Sequence, residues 1–270
     1  MADLQRAGAL LSAEDLAAHK TLLAPSLQVA YRGRDVHLPP PNSPGLALAA
    51  LLGLWQALGR DGNRTPEPAE FLRTRRIAFT LRDRYVTDAI RADLPPDALQ
   101  SDILGRLLQD PDDTGEAEAR AGGSDTRTLV VIDRWGDAVH GLVPGMRPFH
   151  TLCPALVVGQ NGCEMAIATP GDHGQPQAIF QVLARYYDGQ CNIQKAIELP
   201  RIRRDEGRDV LLESRAPSHW AAAITDCGLR PRDVGAWSRL TGGVNAIVRR
   251  PDGLLMAGAD PRRASYAVCA

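Results

Sequence analysis

The chain is poor in the residues that mark several common classes of protein. Its cysteines, Cys153, Cys163, Cys191, Cys227 and Cys269, are odd in number and form no CxxC pair. That argues against a disulfide framework and against a zinc knuckle. The six histidines are scattered, with no HxxxH or HExxH spacing, so no metal site is expected. No apolar run is long enough to span a bilayer, and "MADLQRAGALLSAEDL" lacks the basic start and apolar stretch of a signal peptide. The formal net charge is only −1, which gives no global field toward nucleic acid or an anionic membrane. The short basic runs Arg73–Arg76 and Arg201–Arg204 read as solvated faces. These absences leave a cytoplasmic protein as the default, and an apolar content of 44% supports a sizeable core in its 270 residues.

What is present has clear punctuation. Ser12 to Asp15 reads as a capping box before a short helix. "SLQVAYRGRDVHL" alternates in two arms around Gly33 and predicts a hairpin. "LALAALLGLWQALG" predicts an apolar helix from about Leu46 to Leu58, and "AEFLRTRRIAFTLRDRYV" an amphipathic one carrying Phe71, Leu72 and Ile77. Leu107 to Asp125 is dominated by Asp, Glu, Gly, Ala and Arg and reads as a linker with little to bury. Beyond it, hairpins are expected at "TLVVIDRWGDAVHGL", "PALVVGQNGCEMAIAT" and "GGVNAIVRRPDGLLMAGAD". Helices are expected at "AIFQVLARYYDG", "NIQKAIELPRI" and "HWAAAITDCG", and a strand at "DVLLES". Mostly antiparallel strands with segregated helices give an α+β class.

Three stretches could carry chemistry. The first is Thr126, which follows the loose linker and opens an apolar run. A threonine hydroxyl needs a base, and cleavage of the Asp125–Thr126 bond would supply one. The freed α-amino group has a reference pKa of about 8 and is partly neutral near pH 7. The second is "IATPGDHGQPQ", where a Pro-Gly turn joins a strand to a helix start and the amides of Gly171 and Asp172 could bind an oxyanion. The third is "RPFHTLCPALVV", where Arg147, His150 and Thr151 precede a strand and could hold a substrate carboxylate. Each also has an ordinary structural reading: a linker end, a strand-to-helix loop, a capped strand start.

Together with "NIQKAIELPRI", "LLESR", "GGVNAIVRRPDG", "GADPRR" and "FTLRDRYVTD", these stretches occur in an order that resembles the gamma-glutamyltransferase family of N-terminal nucleophile hydrolases. The resemblance covers nearly the whole chain. It implies an αββα sandwich, incomplete at the N-terminal side. Residues 1–125 would match the later part of the large subunit and residues 126–270 the small subunit, the two forming one structural domain. It implies self-cleavage before Thr126, attack by Thr126 on a γ-glutamyl or related small amide, and transfer of the acyl group to water or an amino acceptor. Pro170, Gly171 and Asp172 match the family's Pro-Gly-Gly oxyanion turn, and His150 and Thr151 match two carboxylate-binding serines. No metal or organic cofactor is implied, nor any nucleic acid or membrane partner, and family members are often exported.

The departures imply a branch acting on other amides, such as an oxamate-type amidohydrolase. Thr126-Arg127-Thr128 stands for Thr-Thr-His, Asp172 for a glycine, and both serines are replaced. A substrate-binding loop after "AVHGL" and early strands of the family's sheets have no counterpart. That predicts exposed apolar surface and sheet edges, and with them self-association, a complementing chain or an inactive remnant.

Overall fold

The computed structural model describes residues 12–21, 23–58, 64–85, 99–109, 149–205 and 207–267. Thr126, Asp125, Arg147 and the hairpin expected at 128–142 lie outside the described residues, as does the linker from residue 110.

A six-stranded sheet organises the molecule. Its strands are β1 (Leu27–Tyr31), β2 (Arg34–Leu38), β3 (Ala155–Gly159), β4 (Gly162–Ala168), β8 (Asn245–Arg249) and β9 (Leu255–Gly258), in the order β1-β2-β3-β4-β8-β9. Every neighbouring pair is antiparallel. The β1–β2 turn is Arg32-Gly33, both at positive φ (51° and 73°), the mirror-image turn that suits strand twist and that glycine accepts freely. Strand β2 pairs with β3 across more than a hundred residues of chain, so segments on both sides of the expected linker share one sheet. A second, smaller sheet contains β5 (Ile202–Arg204), β6 (Asp209–Leu212) and β7 (Arg230–Asp233), with β6 and β7 parallel.

One face of the large sheet carries Val29, Val36, Val157, Met165 and Val248, all buried. Against it lie α2 (Gly45–Ala57) and α5 (Gln175–Tyr187). Every residue of α2 from Gly45 to Trp55 is buried, as an all-round apolar helix requires. Helix α3 (Pro68–Tyr85) and α4 (Ser101–Gln109) pack on α2 from outside. A Cβ at Gly53 would come within 2.4 Å of Leu104 Cδ1, so glycine there allows the α2–α4 approach. Leu107 and Leu108 therefore belong to a packed helix and not to the linker, because their neighbour Leu104 is fully buried. The remaining helices are α1 (Ala13–Ala17), capped by Ser12 and Asp15 as expected, α6 (Ile193–Glu198) and α7 (His219–Asp226).

The basic runs are solvated only in part: Arg73 is exposed, while others turn inward. Arg201 is completely buried and pairs with Asp260. Arg203 pairs with Asp205 at 2.6 Å, and Arg75 lies 4.0 Å from the centre of the Phe79 ring. Arginine's planar head can satisfy its donors inside the protein while its stem packs, which a charge count does not register.

Three buried glutamines stitch α5 to its neighbours. Gln181 and Gln177 each exchange two hydrogen bonds with the backbone of β5, at Ile202 and Arg204 respectively. Gln175 Oε1 accepts from Cys153 N at 3.0 Å. At the far end of α5, Asp188 is fully buried and accepts from Tyr31 Oη (2.7 Å), Trp55 Nε1 (2.7 Å) and Arg32 Nε (2.6 Å). Three strong donors compensate burial of that charge.

Candidate active site

Strand β4 ends at Ala168, and the chain turns through Thr169, Pro170, Gly171 and Asp172 into α5. Gly171 has φ 133° and ψ 29°, a conformation open to glycine, and Asp172 follows in the left-handed region at φ 48°. A single 3-10 turn, Asp172–Gly174, is closed by Gly174 N donating to Gly171 O at 2.8 Å. Pro176 in the first turn of α5 fits, because the first helical amides have no intrahelical acceptor. Among the described residues, the amides of Gly171 and Asp172 have no hydrogen-bond acceptor. Two N–H groups with no acceptor among the described residues, just before a 13-residue helix, have the chemistry to receive an anion or a developing oxyanion. The Asp172 side chain is exposed, so water weakens its charge at that position without abolishing it.

The segment 149–153 lies alongside. Phe149 stacks on His173 with ring centres 5.9 Å apart and planes at 9°, and Cys153 N bonds Gln175 as above. His150 N donates to Asn42 O at 3.0 Å, its Nδ1 is buried without a partner among the described residues, and burial lowers its pKa, so the ring is neutral at pH 7. Thr151 is half-buried. His173 is pushed down to about 4, first by burial and then by the positive Arg82. Arg82 Nη1 lies 3.2 Å from His173 Nδ1; a guanidinium only donates, so Nδ1 accepts and the proton sits on Nε2.

Behind the turn lies a strip of two glycines. Gly243 N donates to Thr169 Oγ1 at 2.9 Å, and Thr169 Oγ1 donates to Pro170 O at 2.8 Å. The strip is held from both sides by a buried ion network. Glu213 accepts from Thr241 Oγ1 (3.0 Å), Ser238 N (3.2 Å), Arg201 N (3.1 Å), Arg215 Nη2 (3.1 Å), Arg262 Nε (2.6 Å) and Arg262 Nη2 (2.6 Å). Asp260 accepts from Val244 N (2.7 Å), from Arg262 N (3.0 Å) and Nη1 (3.1 Å), and from Arg201 Nη2. Burial alone would raise the Glu213 pKa; hydrogen bonds and charge from Arg262 more than offset this and hold it low. Burial also pushes the Cys153 thiol up, which leaves it inert as a nucleophile.

Two of the three expected stretches, His150–Thr151 and Gly171–Asp172, are thus brought together through Phe149, His173, Cys153 and Gln175. Asp125, Thr126 and Arg147 lie outside the described residues. The sequence reading missed Thr169, the Gly242-Gly243 strip, Arg82 and the network beneath. Charged residues inside the otherwise apolar-flanked runs "LLESR" and "GADPRR" were the available signal. A cleft of about 190 Å³ lined by Pro66, Phe71, Pro200, Pro217 and Trp220 contains none of the candidate residues.

The family model described as gamma-glutamyltranspeptidase matches the chain in two stretches, residues 1–141 and 139–270. The chain belongs to this family. The junction of the two stretches falls where the substrate-binding loop was expected to be missing. Among relatives, the glutathione hydrolase-like YwrD proenzyme of Bacillus subtilis (strain 168) is 27% identical, over 98% of this chain and 59% of its own length. The oxamate amidohydrolase proenzyme of Klebsiella pneumoniae is 28% identical, over 92% and 56%. The crystal structure of cephalosporin acylase from Bacillus halodurans superposes with a TM-score of 0.79 at 21% identity, covering 98% of this chain and 56% of that one. The fold is therefore that of the N-terminal nucleophile hydrolases, and the chain spans somewhat more than half the length of the relatives it matches.

Proposed function

We propose that this chain is a self-processing amidohydrolase or acyltransferase of the N-terminal threonine type. Cleavage of the Asp125–Thr126 bond frees the Thr126 amine, which takes the proton of the Thr126 hydroxyl. The oxygen attacks the carbonyl carbon of a small amide, and the amides of Gly171 and Asp172 receive the negative oxygen of the tetrahedral intermediate. Collapse breaks the C–N bond, the proton passes to the leaving amine, and water or an amino acceptor then removes the acyl group. Arg147, His150 and Thr151 hold the substrate's carboxylate.

The observation that carries this reading is the pair of amides at Gly171 and Asp172 with no acceptor among the described residues, placed beside the segment of His150 and Thr151. The names of the relatives favour two probes, oxamate and γ-glutamyl-p-nitroanilide. Mass spectrometry of the expressed chain should show two fragments divided before Thr126, and one of the two probes should then be turned over. An intact chain inert toward both would rule the reading out.

A second reading is that the chain works with a second copy or a complementing chain against the outer sheet face. One observation favours it. Leu156, Ala166 and Ile247 are in register across β3, β4 and β8, and Leu156 and Ile247 are 48% and 52% exposed. Sedimentation of the isolated chain tests this; a monomer that turns over either probe opposes it.

A further inference from the structure

We propose that Thr169 is a positioning residue, whose hydroxyl decides which way the Gly171 amide points. The inference rests on the function proposed above. Its starting point is the Pro170–Gly171 peptide. Glycine accepts φ of either sign, so the plane linking a Pro-Gly pair can turn over by half a rotation at little cost. The sequence Pro170-Gly171 therefore does not itself fix the direction of the amide on which oxyanion binding depends.

Thr169 supplies what the pair lacks. Its Oγ1 donates to Pro170 O at 2.8 Å. In a trans peptide the carbonyl and the following N–H point in opposite directions. Pinning Pro170 O toward Thr169 therefore turns the Gly171 N–H away from it, out of the protein's hydrogen bonding, consistent with that amide having no acceptor among the described residues. The hydroxyl is itself oriented. It accepts from Gly243 N at 2.9 Å, so its single proton is left for Pro170 O. Thr169 is 7% exposed, which keeps water from competing for either bond.

The donor of this relay is equally fixed. A Cβ on Gly242 would lie 3.0 Å from Thr169 Oγ1, so the glycine strip rests directly on the threonine. On one side of the strip Thr241 is tied to Glu213 through its hydroxyl and to Arg201 Nη1 through its carbonyl at 3.1 Å. On the other side Val244 N is tied to Asp260. The order of control runs from the buried ions to the strip, from the strip to Thr169, and from Thr169 to the Gly171 amide.

The test compares the full chain carrying Thr169→Val, which keeps the shape and removes the hydroxyl, with Thr169→Ser, which keeps the hydroxyl. Amide spectra of protein labelled with 15N-glycine read the peptide directly, whether or not the chain is active. The Gly171 cross-peak and its amide–Hα couplings should change in Thr169→Val and stay in Thr169→Ser. Turnover of whichever probe the wild type uses should fall about 100-fold in kcat in Thr169→Val with KM within about twofold, the loss that follows removal of one oxyanion donor. Thr169→Ser should restore it. Unchanged Gly171 signals, or an unchanged kcat, would overturn the proposal, as would a spectrum altered throughout in both variants. A wild-type chain that neither cleaves itself nor turns over a probe overturns the functional reading and the catalytic role of Thr169. The Gly171 signals then still decide, separately, whether the hydroxyl sets the peptide.

Discussion

The network around Glu213 and the turn at Gly171 are neighbours with opposite uses of the hydrogen bond. Around Glu213 one carboxylate takes six donors, and Asp260 beside it takes four more. At the turn two amides are left unspent among the described residues. A buried carboxylate tolerates no vacancy, since desolvation of the ion costs several kcal/mol unless its oxygens are filled. A receptor needs vacancies, but they are useful only if they hold their direction. The glycine strip joins the two, so that the region with nothing left to give fixes the region that has something to offer.

Removing Glu213 breaks the comparison at its stronger side. Glu213→Ala leaves Arg215 without its carboxylate and Arg262 with Asp260 alone, and stability should fall by about 3–5 kcal/mol, read by chemical denaturation. A loss below about 1 kcal/mol would mean that the network does not hold the strip. Asp172→Gly sharpens the comparison at the turn. Relief of left-handed strain is offset by the greater freedom of glycine in the unfolded chain, so stability should change by no more than about 0.5 kcal/mol. Turnover should rise several-fold once the carboxylate no longer faces developing negative charge, and a lower kcat would show that the carboxylate serves the reaction. The smallest effect is a pH dependence at His173. Its folded pKa of about 4 lies below the ordinary 6.5, so between these values the unfolded chain binds a proton that the folded one does not. Stability should therefore fall on acidification through that window and be flat above it. His173→Phe, which keeps the stack on Phe149, should reduce this fall by roughly 1 kcal/mol or less, as measured by denaturation at both ends of the window.

Local pattern made much of the frame legible. Alternation around Gly33 located β1 and β2, an apolar run located α2, and Pro170-Gly171 located the bend before α5. Those features act within a few residues. The polar interior does not. Glu213 is 49 positions from Arg262 and Arg201 is 59 from Asp260, and nothing in either neighbourhood says that the charges meet out of water. Strands β5 and β7 were missed because "IRR" and "RPRD" carry almost no apolar signal; they are strands because α5's glutamines and β6 complete their hydrogen bonds. Of the candidate site, the bend at Pro170-Gly171 and its nearness to the segment 149–151 could be expected from turn chemistry and family order, while the contacts of Thr169 could not. Its importance lies in two hydrogen bonds, one to the next residue and one 74 positions away.

Helix α5 runs from the Gly171 turn to Asp188, and both ends are held. With 13 residues it is about 20 Å long and stiff along its axis. Asp188, gripped by Tyr31, Trp55 and Arg32, acts as the fixed end of a ruler whose other end carries the turn. A substitution at that grip, remote from any reacting atom, would slide the scale rather than alter the mark, and its signature would be a displaced receptor with all of its chemistry intact.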